Sequence, residues 1–253
     1  MILAGGLGTR LGAIDEKIPK SMVAVADAPF IDHQLRLLSR KGASNVILLL
    51  GHLGDQIADF VKDGSAYKLK IEYSCDGEQL LGTGGAIKKA LPMVTGEFAV
   101  MYGDSYLDLD VMAVNAAFRE SGKDALMTVL RNENRWGASN VSFVDGLVRK
   151  YEKHQQDKHQ KDKQDKQHQD ASSHHHAADL HYIDYGFSIL KKSAFDPFAG
   201  AQSFDLSQAF EHLIEEQMLA GFEVERRFYE IGSLQGLAET DEFLRTLPEN
   251  LKD

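Results

Sequence analysis

The chain has 253 residues, 43% of them hydrophobic, a formal net charge of −10 and one cysteine. Length and apolar share suit one large domain with a full core. The acidic balance argues against a nucleic-acid-binding surface, and the single Cys75 excludes a disulfide framework or a multi-cysteine zinc site. The sequence contains no uninterrupted apolar run of about 18 residues and no basic segment leading into an apolar one at its start, so the expectation is a soluble cytoplasmic protein with no membrane partner.

Met1 to Ala4 reads as a short strand running into a loop with glycine at positions 5, 6, 8 and 12. Glycine lets successive backbone N–H groups converge on an anion, and Arg10 adds a permanent forked cation. The loop therefore reads as a polyphosphate cradle. It is not a P-loop, because Ala13-Ile14 follow Gly12 where Lys-Ser/Thr is required, and the dinucleotide fingerprint lacks its third glycine. Next come an amphipathic helix over 31–41, a continuous apolar strand over 45–50, a helix over 55–63 and an alternating strand over 70–74. A second glycine-rich stretch, Glu78 to Ala86, precedes a helix over 84–91, and 98–102 is a second buried strand ending at Gly103-Asp104. A helix over 111–121 and a strand over 125–130 complete a strand–helix rhythm that predicts an α/β layer fold with a mostly parallel sheet.

The second half is less regular. A hairpin over 141–143 and 147–151 turns at Asp145-Gly146, strands are expected over 182–190 and 226–231, and helices over 206–220 and 234–247. The stretch 154–176 is nearly devoid of apolar residues and rich in Gln, Lys, Asp and His, which reads as a mobile surface insert. Its six histidines have no scaffold to fix them, and His33, His52, His181 and His212 read as structural.

Asp104 follows a buried strand and a glycine at the edge where α/β folds bind ligands, well placed to hold Mg²⁺ between phosphates. A turn or helix-cap aspartate is the alternative on spacing alone. Leu3-Ala4-Gly5-Gly6-Leu7-Gly8-Thr9-Arg10-Leu11, followed by Pro19-Lys20-Ser21-Met22, resembles the two-part signature of sugar-1-phosphate nucleotidyltransferases (the NTP transferase family). In look the chain is nearest the heptose- or hexose-1-phosphate guanylyltransferase branch.

The resemblance implies a GT-A-like, Rossmann-like three-layer sandwich in a single domain over 1–253, with a nucleotide-binding half (1–130) and a sugar-phosphate half (131–253). It implies an NTP and a sugar 1-phosphate as partners, Mg²⁺ as cofactor, and an NDP-sugar and pyrophosphate as products. Arg10 and Lys20 would be catalytic, and Asp104 and Glu230 would hold the metal, Glu230 standing where aspartate is usual. Leu3, Ala4, Gly5, Gly6, Gly8, Thr9, Glu78, Gly82, Thr83 and Gly84 would line the nucleotide. Lys153, Asp184, Gly186 and Trp136 would meet the sugar phosphate. A cytidylyltransferase with a non-sugar acceptor such as phosphocholine, and a non-catalytic nucleotide-sugar-binding regulatory domain, are the rivals. A homo-oligomer is compatible with the sequence and is not decided by it.

Overall fold

The computed structural model describes residues 1–6, 17–77, 79–153 and 180–248. In chain order its elements are β1 (Ile2–Leu3), the ribbon β2 (Ala24–Val25) and β3 (Ala28–Pro29), α1 (Phe30–Arg40), β4 (Asn45–Leu50), α2 (Gly54–Val61) and β5 (Lys70–Cys75). They continue with α3 (Gly82–Ala90), β6 (Phe98–Tyr102), β7 (Ser105–Tyr106), α4 (Val111–Ser121), β8 (Ala125–Arg131), and the hairpin β9 (Val141–Val144) and β10 (Leu147–Tyr151). The last are β11 (Tyr182–Leu190), α5 (Leu206–Glu215), β12 (Leu219–Val224), β13 (Tyr229–Glu230) and α6 (Leu234–Thr246). The polar insert lies outside the described residues, and no helix among the described residues is long and apolar enough to cross a membrane.

Both halves of the chain feed one nine-stranded sheet of order β5-β4-β1-β6-β11-β8-β12-β10-β9. The expectation of a mostly parallel sheet needs correction. Strands β5, β4, β1 and β6 are parallel, but β11 inserts antiparallel between β6 and β8, and β10 and β9 pair antiparallel beyond β12. A parallel neighbour requires a long crossover. Between β8 and β11 the chain makes the β9–β10 hairpin instead, and it enters β11 from the opposite end.

Strand β4 shows how the layers form. Its side chains alternate, with Val46, Leu48 and Leu50 in one core and Ile47 and Leu49 in the other. The first core is closed by Ile31 and Leu35 of α1, Ile57 of α2 and Val114 and Phe118 of α4. The second is closed by Ile87 of α3 and Phe210 and Leu213 of α5. Helices thus cover both faces. A third cluster, with Val23, Val25, Tyr106, Ile231 and Leu244, seats α6 and the two small ribbons at one side.

Two elements differ from the sequence expectation. The helix expected over 206–220 stops at Glu215, because Gln217 turns into the left-handed region (φ 55°) and the Met218 N–H closes back on the Leu213 carbonyl at 2.7 Å. The following residues form β12, parallel to β8. Met218 lies eight residues after Phe210 and so prolongs the helical apolar period, which hides the boundary. The strand expected over 226–231 shrinks to Tyr229–Glu230 and pairs with β7, outside the central sheet.

Gln34 of α1 is fully buried and was part of no expectation. Its amide donates to the carbonyls of Tyr102 (3.1 Å) and Ser105 (2.8 Å), which bracket Gly103-Asp104. Gln34→Leu would leave both carbonyls without this donor, so it should lower stability by about 1–3 kcal/mol. The measurement is the urea midpoint at constant slope; an unmoved midpoint would mean that the carbonyls find other donors.

Candidate active site

The carboxyl ends of the parallel strands form one edge. Leu3 and Ala4 leave β1 there, with the Ala4 N–H donating to the Leu49 carbonyl at 3.0 Å. A side chain on Gly5 would meet the Gly51 nitrogen at 2.9 Å, so this close crossing of two strand ends admits glycine best. Gly6 is exposed at the end of the described segment. Gly8, Thr9 and Arg10 lie outside the described residues, as does Glu78.

Lys20 follows Pro19, whose extended backbone delivers it into a single 3-10 turn, Lys20–Met22. Its Nζ sits 2.6 Å from Asp104 Oδ2. Asp104 lies between β6 and β7, and the antiparallel register of β7 with β13 sets Glu230 opposite Ser105. The Ile231 N–H donates to the Asp104 carbonyl at 2.9 Å, which locks the two loops together. A Cβ placed on Gly232 would lie 2.5 Å from Glu230 Oε2, 3.1 Å from Lys20 Nζ and 3.6 Å from Asp104 Oδ2. One cation and two carboxylates from three distant segments therefore converge beside a residue that has no side chain.

The long Glu230 side chain is folded onto its own loop. Oε2 accepts from the Gly232 N–H and Oε1 from the Ser233 hydroxyl (2.7 Å), while a Cβ on Gly236 would stand only 1.8 Å from Oε1. Thr240, fully buried in α6, donates to the Glu230 carbonyl at 2.8 Å. Each carboxylate oxygen keeps a further lone pair.

The second glycine-rich stretch is clamped to the segment ahead of α5. The Gly84 and Gly85 N–H groups donate to the Phe204 carbonyl at 3.0 and 3.1 Å, and Thr83 Oγ1 accepts from the Leu206 N–H at 2.8 Å. A Cβ on Gly84 would meet the Phe204 ring at 2.4 Å, and Gly82 has φ +70°. The N–H donors of Gly84 and Gly85, in the first turn of α3, are thus taken by the Phe204 carbonyl.

On the other side of β6, the register of β11 against β8 shifts between Asp184 and Ser188, and Gly186 has φ +96°. Asp184 Oδ1 accepts from the Gly186 N–H at 2.9 Å. Oδ2 accepts from the hydroxyls of Tyr102 (3.5 Å) and Tyr151 (3.4 Å). Burial pushes the Asp184 carboxyl up to about 6, against the opposing pull of these donors. Lys153, just past β10, pairs with Asp205 Oδ2. Trp136 is half-buried against the first core, with the guanidiniums of Arg135 and Arg227 each 5.6 Å from its ring. Gly137 beside it faces Ile183. His33 bonds the Val25 carbonyl at 2.7 Å, in keeping with a structural role.

Sequence reasoning assigned no role to Gln34, Tyr151 or Asp205. Gln34 had a signal, since it falls on the 31-35-38 apolar stripe of α1. Asp205 stands as an N-cap before an apolar helical run.

The family model for nucleotidyl transferases matches residues 1–243. The D-glycero-alpha-D-manno-heptose 1-phosphate guanylyltransferase of Campylobacter jejuni is 36% identical over 153 residues, covering 60% of this chain and 67% of that protein. The N-acetylmuramate alpha-1-phosphate uridylyltransferase of Neisseria meningitidis is 39% identical over 114 residues, covering 45% and 49%. HddC from Yersinia pseudotuberculosis, solved as a complex with GMP-PN, superposes with a TM-score of 0.71 at 26% identity over 96% of this chain and 97% of its own. A putative glucose-1-phosphate thymidylyltransferase from Bacillus anthracis shares the fold, with a TM-score of 0.77 at 16% identity over 98% and 95%. The chain therefore belongs to the nucleotidyl transferase family.

Proposed function

We propose that the chain transfers a nucleotidyl group from an NTP to a hexose or heptose 1-phosphate, releasing pyrophosphate. The observation that carries this reading is the convergence of Lys20, Asp104 and Glu230 at Gly232, on the strand edge that also bears Gly5 and Gly6. The heptose 1-phosphate guanylyltransferases of Campylobacter jejuni and Aneurinibacillus thermoaerophilus, at 36% and 37% identity, favour guanine as the base.

The donor set fits a magnesium ion. Mg²⁺ takes one or two protein carboxylates and completes its octahedron with water and substrate phosphates. Among the described residues no group of three or more His, Cys, Asp or Glu forms a self-sufficient metal cage. Asp104 and Glu230 would hold the ion, and bound there it would neutralise charge on the phosphates. The acceptor's phosphate oxygen attacks the α-phosphorus in line. As that bond forms, the bond to the bridging oxygen breaks, and pyrophosphate leaves with the electron pair. Lys20, with Arg10 from the first loop, would stabilise the charge that builds on the leaving group. Lys153 would meet the acceptor phosphate, and Asp184 would accept from sugar hydroxyls.

Pyrophosphate release with Mg²⁺, measured for the four common NTPs against hexose and heptose 1-phosphates, tests the reaction. Turnover is expected with one nucleotide and one sugar class, and Asp104→Asn should lower kcat by about 100-fold or more. Release only with a non-sugar phosphate, or nucleotide binding without any release, would overturn the reading.

Asp184 supplies a separate expectation. Its folded pKa, about 6, lies above the ordinary 3.8, so between those values the folded state holds more protons than the unfolded one. Stability contributed by this group is complete below about pH 4 and is lost as the pH rises through 6, on the order of 2–3 kcal/mol. Asp184→Asn should therefore raise the melting temperature at pH 7.5 but not at pH 4, while weakening the acceptor KM. A lower melting temperature at pH 7.5 would show that the carboxylate is stabilised rather than strained by its surroundings.

A further inference from the structure

The Lys153–Asp205 pair does more than decorate the surface. Lys153 is half-exposed, and an ion pair of that kind contributes little to stability. Asp205 is also the N-cap of α5, its Oδ1 accepting from the Ser207 N–H at 3.0 Å. An uncharged asparagine would cap equally well, so capping by itself does not call for a carboxylate here.

What the carboxylate does gain is a fixed place. The chain on both sides of it is bolted to the start of α3: the Phe204 N–H donates to the Leu81 carbonyl (3.0 Å), the Phe204 carbonyl accepts from Gly84 and Gly85, and the Leu206 N–H donates to Thr83. The Phe204 ring stacks on Phe198 at 4.5 Å and fills the space that a side chain on Gly84 would take. The Asp205 charge also reaches the Asp184 cluster. Burial first, then the charges of Asp184 and Asp205, push the Tyr102 and Tyr151 phenols up. A free lysine side chain samples many rotamers; Asp205 restricts Lys153 by holding its ammonium, two residues along the chain from Tyr151, whose hydroxyl donates to Asp184.

Resting on the reaction read above, we propose that Asp205 is a positioning residue for Lys153. It sets the cation where the acceptor's phosphate arrives while the acceptor's hydroxyls engage Asp184. The glycines of the second rich stretch then have a task beyond packing, because they fix the support on which Asp205 stands.

The test is steady-state kinetics on the full chain with the substrate pair found by pyrophosphate release. Asp205→Asn keeps the cap and loses the ion pair. The expected result is a rise of about fivefold in the KM for the sugar 1-phosphate, with the KM for the NTP and the melting temperature unchanged. Lys153→Met should cost the same alone as together with Asp205→Asn. Additive losses, equal rises in both KM values, or wild-type behaviour of Asp205→Asn would overturn the assignment and leave the reaction standing. A wild-type protein that turns over no sugar 1-phosphate would overturn both.

Discussion

The antiparallel pairing of Glu230 with Ser105 and Tyr229 with Tyr106 is two residues long, yet the convergence of Lys20, Asp104 and Glu230 depends on it. Asp104 arrives from the end of a central strand, and residue 230 from the far end of the chain, 126 positions later. A second link between the two loops is the Ile231 N–H bond to the Asp104 carbonyl, at 2.9 Å. The mini-sheet is held from below by Gln34, which grips the two carbonyls flanking Gly103-Asp104, and from the side by Thr240, which grips the Glu230 carbonyl. Two buried side chains thus anchor the backbone on which the two carboxylates stand, and interior carbonyls are costly to leave unmatched.

The glutamate at 230 makes sense within this frame. An aspartate would reach forward from the strand, whereas glutamate has one methylene more to place. The chain absorbs that length by curling the carboxylate back over Gly232 and against Gly236, where side chains would collide with it. Glu230 Oε2 thereby stays near Asp104 Oδ2 and Lys20 Nζ. The two glycines and the longer acid are one structural solution, and each is unintelligible without the others.

How much of this was legible in the sequence follows from range. Strands β4 and β6 announce themselves as continuous apolar runs, because both faces are covered and nothing local competes. The nucleotidyl transferase signature likewise pointed to Lys20 and Asp104, which the fold then brings into contact. Strand β12 was hidden because Met218 prolongs a helical period that the backbone abandons one residue earlier, at Gln217. The antiparallel insertion of β11 was hidden because strand direction depends on how the chain returns from the β9–β10 hairpin, a tertiary fact with no local residue pattern. Gln34 and Asp205 were legible as a polar residue on an apolar stripe and as a helix cap. Their partners, 68 and 52 residues away, were not.

For the proposed reaction, a chain of net charge −10 gathers two phosphate-bearing substrates against its own long-range field. At physiological salt that field decays over about 8 Å, so what decides is the charge within reach of the phosphates. Lys20 and Lys153 each stand against one carboxylate, Asp104 and Asp205, which keeps a flexible cation in one place at little cost to stability. The two pairs differ in what the carboxylate does next. On the proposed reading Asp104 also shares oxygen with a divalent cation, so its charge is used twice. Asp205 is committed to a helix cap and a lysine and has only a position to offer. On the proposed reading the Lys20–Asp104 pair is tuned by charge and the Lys153–Asp205 pair by geometry.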